Sequence, residues 1–256
     1  MSYNKVRLFD AHLHIIDSRF PLVANQGYLP DEYTHEHYLA DMLNYELVGG
    51  VVVSGSFQAQ DQSYLQEALK QLGKNFVGVT QLSPTVSDEE LIRLNHQGVR
   101  AIRFNFKRGG SGAISYIDKL ARRVYDTVGW HSEVYADGEL LAELCPILES
   151  LPALSIDHLG LSRRAFRTLL YLVEKGVKVK ASGFSRVDFD IPSAIKALYA
   201  ANPDALMFGS DLPSTRAPQR FRHEDIQLIC DTLEPDHAKR VLSGNAIRFY
   251  RLKSGV

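Results

Sequence analysis

Short apolar runs alternate along the chain with longer segments whose apolar residues recur every three or four positions. The first kind reads as buried strand and the second as amphipathic helix. A strand opens the series at residues 6–9, and a long polar and aromatic loop carrying Pro21, Gly27, Tyr28 and Pro30 follows it. Next comes a helix with Thr34 as N-cap and Leu39, Met42, Leu43 and Leu47 on one face, stopped by Gly49-Gly50, before a second strand at Val51-Val52-Val53. From there the pattern is regular, with strands over 76–82, 99–104, 131–135, 153–156, 177–181 and 205–208. Helices over 65–72, 91–94, 117–128, 140–151, 165–173 and 195–201 separate them, and two more, over 226–233 and 238–250, close the chain.

Strands that alternate with helices must run parallel, because each crossover helix has to cover a face of the sheet. Eight such units in 256 residues match a closed (β/α)8 TIM barrel, an α/β fold, better than an open doubly wound sheet. No Gly/Ser-rich linker, charge block or short repeat divides the chain, so residues 1–256 read as one domain.

Composition narrows the function. A formal net charge of −1 argues against a nucleic-acid or membrane-surface protein, whose affinity rests on basic excess, and favours a small-molecule partner. Cys145 and Cys230 stand singly in helical segments, without zinc-site spacing or the density of a secreted scaffold. With no long apolar window and no signal-like start, the expected location is cytoplasmic.

In a parallel barrel the site forms at the carboxyl ends of the strands. There the first strand ends in His12 and His14, which alternation puts on one face, and the second in Ser54 and Ser56. Arg103, Asn105, Lys107 and Arg108 follow the fourth strand, Tyr135 the fifth, Asp157-His158 the sixth, Ser182 and Arg186 the seventh, and Ser210-Asp211 the eighth. Each has an ordinary alternative: His158 could cap a helix, Asp211 could make an Asx-turn before Pro213, and Lys178 or Lys180 could be structural. Independent accidents would not gather them all at the same end of different strands.

These residues resemble the amidohydrolase superfamily, through Asp10-Ala-His12-Leu-His14, Ile156-Asp-His158-Leu-Gly160 and Gly209-Ser-Asp211. Arg100-Ala-Ile-Arg103-Phe-Asn-Phe106 and Ser182-Gly-Phe-Ser-Arg186 resemble the branch of 2-pyrone-4,6-dicarboxylate hydrolase and sugar-acid lactonases. The resemblance implies a lactone-opening hydrolase in which Asp211 activates water while His12, His14 and His158 polarise the carbonyl. It implies substrate-binding roles for Tyr28, Ser56, Arg103, Arg108, Tyr135, Arg186 and Ser214, and an anionic lactone as substrate. Three departures bear on the substrate: the segment after Phe106 is one residue short, Leu212 replaces a tryptophan, and Ser214 replaces a histidine.

Metal-dependent members of the superfamily add a lysine on strand four or a histidine on strand five. The matching fifth-strand position is Tyr135, and His131 sits at the opposite end. His12, His14 and Asp211 would still supply the three ligands of an open catalytic site, so the expectation is no obligatory cofactor but room for one divalent metal such as Zn2+. The alternatives are a metal-dependent amidohydrolase or decarboxylase, a sugar-acid lactone isomerase, and a non-catalytic binding barrel.

Overall fold

In the computed structural model, which describes residues 5–109 and 114–252, eight parallel strands stand in sequence order. They are β1 (Arg7–Leu13), β2 (Glu46–Val53), β3 (Phe76–Thr80), β4 (Val99–Asn105), β5 (His131–Tyr135), β6 (Leu154–Ile156), β7 (Lys178–Ala181) and β8 (Leu206–Phe208). The outer wall is α1 (His35–Asp41), α2 (Ser63–Leu72), α3 (Asp88–His96), α4 (Ile117–Val128), α5 (Gly138–Leu148), α6 (Arg163–Glu174), α7 (Ile191–Ala201) and α8 (His223–Thr232). This is the expected (β/α)8 barrel. Closure comes just past β8, where the Asp211 amide donates to His12 O at 2.7 Å and the His14 amide to Leu212 O at 2.8 Å. The seam leaves no space for a side chain at residue 209: a Cβ on Gly209 would lie 2.7 Å from His12 Cβ.

Alternation sorts the strands into two apolar layers. Ile102, Phe104, Val179 and Phe208 face outward to the helices, while Phe9, Ala11, Val51, Val77, Ala101 and Met207 fill the lower barrel interior. A register shift against β2 between Asp10 and Leu13 then turns His12 and His14 inward above that apolar floor. Tyr250, fully buried, plugs the floor from below.

Two stretches differ from expectation. The helix expected through Leu47 ends at Asp41, and β2 already begins at Glu46, so that Leu47, Gly49 and Gly50 belong to the strand. Gly50 is there because strands crowd it: an added Cβ would meet the Phe76 ring at 2.8 Å and Asp10 O at 3.0 Å. The single helix expected over 238–250 is α-helix Pro235–Lys239, a wide π turn Arg240–Gly244 and α-helix Asn245–Phe249. Among the described residues no helix is long and apolar enough to cross a membrane.

Candidate active site

At the carboxyl end of the barrel three imidazoles surround one carboxylate oxygen. The Nε2 atoms of His12, His14 and His158 lie 3.8, 3.7 and 3.9 Å from Asp211 Oδ1. Among the described residues neither Asp211 Oδ1 nor His12 Nε2 has a hydrogen-bond partner, although both are buried. Buried polar atoms without partners are rare in folded proteins, and here two of them face each other across a gap that a water or a ligand atom would fill. His158 (φ 51°) and Asp211 (φ 59°) both take left-handed backbone, a strained conformation for such residues that recurs at functional sites.

The far nitrogen of each ring sets what the near one can do. His14 Nδ1 lies 2.7 Å from Val53 O, and since a carbonyl only accepts, its proton is on Nδ1 and Nε2 presents a lone pair. His12 Nδ1 stands between Lys180 Nζ at 3.3 Å, which only donates, and Asp157 Oδ1 at 3.5 Å, which only accepts, so either tautomer is served; with the Lys180 contact made, the His12 proton is on Nε2, facing the gap. Ser182 Oγ meets His158 Nδ1 at 2.9 Å and can serve either tautomer. Burial, and then Lys180, lower the His12 pKa well below its usual value. Burial brings His158 down to about 4, so both rings are neutral at pH 7.

Burial alone would raise the Asp211 pKa, but Arg186 and then His158 outweigh it and keep the carboxylate ionised. Arg186 does this from Nε, 2.7 Å from Asp211 Oδ2. Arg103 and Asp157 form a second pair beside it. Nε and Nη2 of Arg103 donate to Asp157 Oδ2 at 3.1 and 2.8 Å, and Nη1 donates to Ser54 O at 2.9 Å. Asp157, pushed up by burial, is pulled well below its usual range by Arg103, with His12 and Lys180 adding to the effect. Underneath, Lys180 Nζ donates to Glu133 Oε2 at 2.5 Å, and Glu133 Oε1 accepts from the Tyr250 hydroxyl.

Around this centre the strand ends and loops leave a cavity of about 30 Å3, enough for one or two waters. Ser56, Arg103, Arg108, Tyr135 and Arg186 line it, as do Thr215 and Arg216. Tyr135 meets the His158 ring edge-on at 5.1 Å. Tyr28 lies outside the cavity wall, beneath the Arg216 guanidinium at 4.4 Å. Ser214 is turned elsewhere: its hydroxyl accepts from the Phe221 amide, and it lines a separate cavity of about 200 Å3. His131 stands at the opposite end of β5 and contacts Glu133 at 3.2 Å.

Sequence reasoning passed over Glu133, Asp10 and Arg216. Period-two alternation along β5 puts His131, Glu133 and Tyr135 on one interior face and would have found Glu133. Asp10 holds the seam, accepting from the Ser210 amide at 2.8 Å, Ser210 Oγ at 2.6 Å and Tyr38 Oη at 3.1 Å. No local pattern marks Arg216.

The donor set suits a divalent ion. His12, His158 and Asp211 offer ligand atoms within 4.8 Å of one another, as do His12, Glu133 and Asp157. The first group is the better fit, because Lys180 already occupies Glu133 and lies 3.7 Å from Asp157.

A family model described as amidohydrolase matches residues 9–252. A 4-sulfomuconolactone hydrolase of Rhizobium radiobacter is 26% identical over 94% of this chain and 89% of its own length. A 2-pyrone-4,6-dicarboxylate hydrolase of Comamonas testosteroni is 28% identical over 59% of this chain, a match spanning 51% of that protein. Among solved structures, an Acinetobacter baumannii protein described as a probable 2-pyrone-4,6-dicarboxylic acid hydrolase with citric acid bound superposes with a TM-score of 0.81 at 24% identity, covering 95% of this chain and 99% of that one. An apo Agrobacterium tumefaciens structure gives 0.83 at 19% identity, covering 96% of each chain.

Proposed function

This chain belongs to the amidohydrolase family, and we propose that it is a hydrolase that opens a lactone carrying an anionic group. The observation that carries the reading is the ring of three imidazole Nε2 atoms around the unpaired Oδ1 of Asp211. Curated relatives over most of the chain that open lactones support it.

The tautomers assign the roles. A water in the gap donates one proton toward Asp211 Oδ1 and the other toward the His14 Nε2 lone pair, which turns its oxygen to the ester carbon. His12 donates from Nε2 to the carbonyl oxygen as charge grows there when Lys180 donates to its Nδ1, and His158 does the same when Ser182 donates to its Nδ1. Asp211 takes the proton as the water oxygen bonds to carbon, and the ring C–O bond breaks as the tetrahedral intermediate collapses. An alkoxide or enolate leaves readily, so this asks less of the site than an amide would.

Arg186 has a double effect. In the free protein its guanidinium weakens Asp211 as a base. A substrate carboxylate that shares Arg186 loosens that hold and raises the basicity of Asp211 at the moment it is needed. Arg108, and the N–H groups of Arg103 that Asp157 and Ser54 leave over, are the remaining donors for the substrate's negative charge.

A second reading rests on the ligand set: His12, His158 and Asp211, with His14 beside them, would hold a divalent ion such as Zn2+ that polarises the carbonyl and lowers the pKa of water. One experiment separates the two. Turnover of 2-pyrone-4,6-dicarboxylate and 4-sulfomuconolactone is followed for protein of known metal content, before and after chelation. Activity in metal-free protein supports the Asp211 and His14 route, and activity lost with one metal per chain and regained with Zn2+ supports the second. No lactone opened in either form refutes both.

A further inference from the structure

The cavity wall carries two kinds of arginine. Arg103 and Arg186 are each committed to a buried carboxylate at 2.8 and 2.7 Å. Arg108 and Arg216 are not. Among the described residues, the Arg216 guanidinium bonds only neutral oxygens, the Asn25 carbonyl and Gln26 Oε1 at 3.4 Å, and lies over the Tyr28 ring at 4.4 Å. The Arg108 guanidinium has no hydrogen-bond partner among them; its backbone is held instead, its amide by Asn105 Oδ1 and its carbonyl by Asn25 Nδ2, both at 3.1 Å. Both side chains are half-buried and line the same cavity. They are close enough that Arg108, after burial, depresses the Arg216 pKa.

Two half-buried guanidiniums that share one wall without a carboxylate between them repel each other, and a ligand that brings the missing negative charge relieves that repulsion. Resting on the lactone-hydrolase reading, we propose that Arg216 is a specificity-determining residue: with Arg108 it receives an anionic substituent of the substrate outside the reaction centre, leaving Asn25 and Gln26 to do so. Tyr28 keeps the planar cation in place on its ring face. The cavity of about 30 Å3 is too small for a lactone ring, so its wall has to yield on binding. Arg216, tied only to the neutral turn 25–28, is the wall residue that gives way without uncovering a buried carboxylate. A carboxylate and a sulfonate share the required chemistry, the first meeting two N–H donors in a plane and the second offering a third oxygen.

The test is calorimetric titration of the wild-type protein, Arg216→Met and Arg216→Lys with isophthalate, 3-sulfobenzoate and benzoate, none of which the proposed reaction can turn over. Wild-type protein is expected to bind at least one of the two doubly charged probes tenfold or more tightly than benzoate, and the better of the two identifies the anion. Arg216→Met should weaken that probe at least tenfold and benzoate less than twofold, with Arg216→Lys in between. Wild-type binding of both doubly charged probes no tighter than benzoate overturns the proposal, even if the methionine variant fails to fold. So does an equal loss for all three probes, which marks a residue that merely holds the turn 25–28. If the discrimination is present but no lactone is turned over, the hydrolase reading fails while the anion site stands.

Discussion

Arg103→Met should cost this protein stability before it costs it substrate. The side chain is 3% exposed and Asp157 0%, so the substitution strips both Arg103 donors from Asp157 Oδ2 and the donor at 2.9 Å from Ser54 O. Among the described residues Asp157 keeps Lys180 at 3.7 Å and His12 at 3.5 Å, both near Oδ1. Breaking a buried pair by removing one partner costs about 3–5 kcal/mol. At about 2–4 °C per kcal/mol for a chain of this size, the melting temperature should drop by roughly 10 °C. Arg103→Met/Asp157→Leu should recover at least half of that, because an apolar replacement removes the stranded charge together with its partner. Urea unfolding of the two variants at pH 7, with kcat and KM measured alongside, makes the comparison. If the single variant loses less than about 1 kcal/mol and shows only a raised KM, Arg103 is a free substrate receptor and does not hold Asp157 in the fold.

Asp211→Asn should lower kcat by about 10²–10⁴-fold, the range for a general base, with KM within a few-fold, and near-normal turnover would remove Asp211 from the base role. His158, with a folded-state pKa of about 4 against 6.5 unfolded, binds fewer protons in the native state. Its contribution is therefore full above pH 6.5 and lost as pH falls toward 4, up to about 3 kcal/mol. Asp10, raised to about 6, runs the other way between pH 4 and 6, so the informative comparison is wild type against His158→Gln, which should lose less stability from pH 7 to 5. Identical losses would contradict the assignment. Ser182→Ala removes the group 2.9 Å from His158 Nδ1 and should lower kcat about tenfold with little change in stability, while 15N shifts of the imidazole report whether the tautomer moved.

The barrel was legible because its signal is repeated: a wrong boundary in one strand, such as the late start expected for β2, leaves seven other units in place. His12, His14, His158 and Asp211 were legible for a related reason, since each lies at or within three residues of the carboxyl end of a strand marked by its apolar run. What could not be read were the pairings. Arg103 and Asp157 are 54 positions apart, and which carboxylate an arginine meets depends on the stagger of strands around the barrel. The tautomers were hidden too: the donor role given equally to all three histidines depends on what stands behind each ring, Val53 O behind His14 and Lys180 Nζ with Asp157 Oδ1 behind His12. Ser214, to which the resemblance gave a substrate-binding role, is drawn off by the amide of Phe221.

Tyr250, Glu133, Lys180 and His12 form an unbroken line of side chains from the last helix to the centre. The charge balance of the chemistry is thus anchored from beneath, by Tyr250, Glu133 and Lys180, while Arg108, Arg186 and Arg216 stand beyond the strand ends above. Such a molecule can change what it accepts without relearning how to react. The segments beyond His14, Asn105 and Asp211 could be exchanged with those of a relative, and the reacting groups would keep their places. The opposite graft, a foreign closing helix without a tyrosine at position 250, would disturb catalysis from the underside while leaving every binding residue in place.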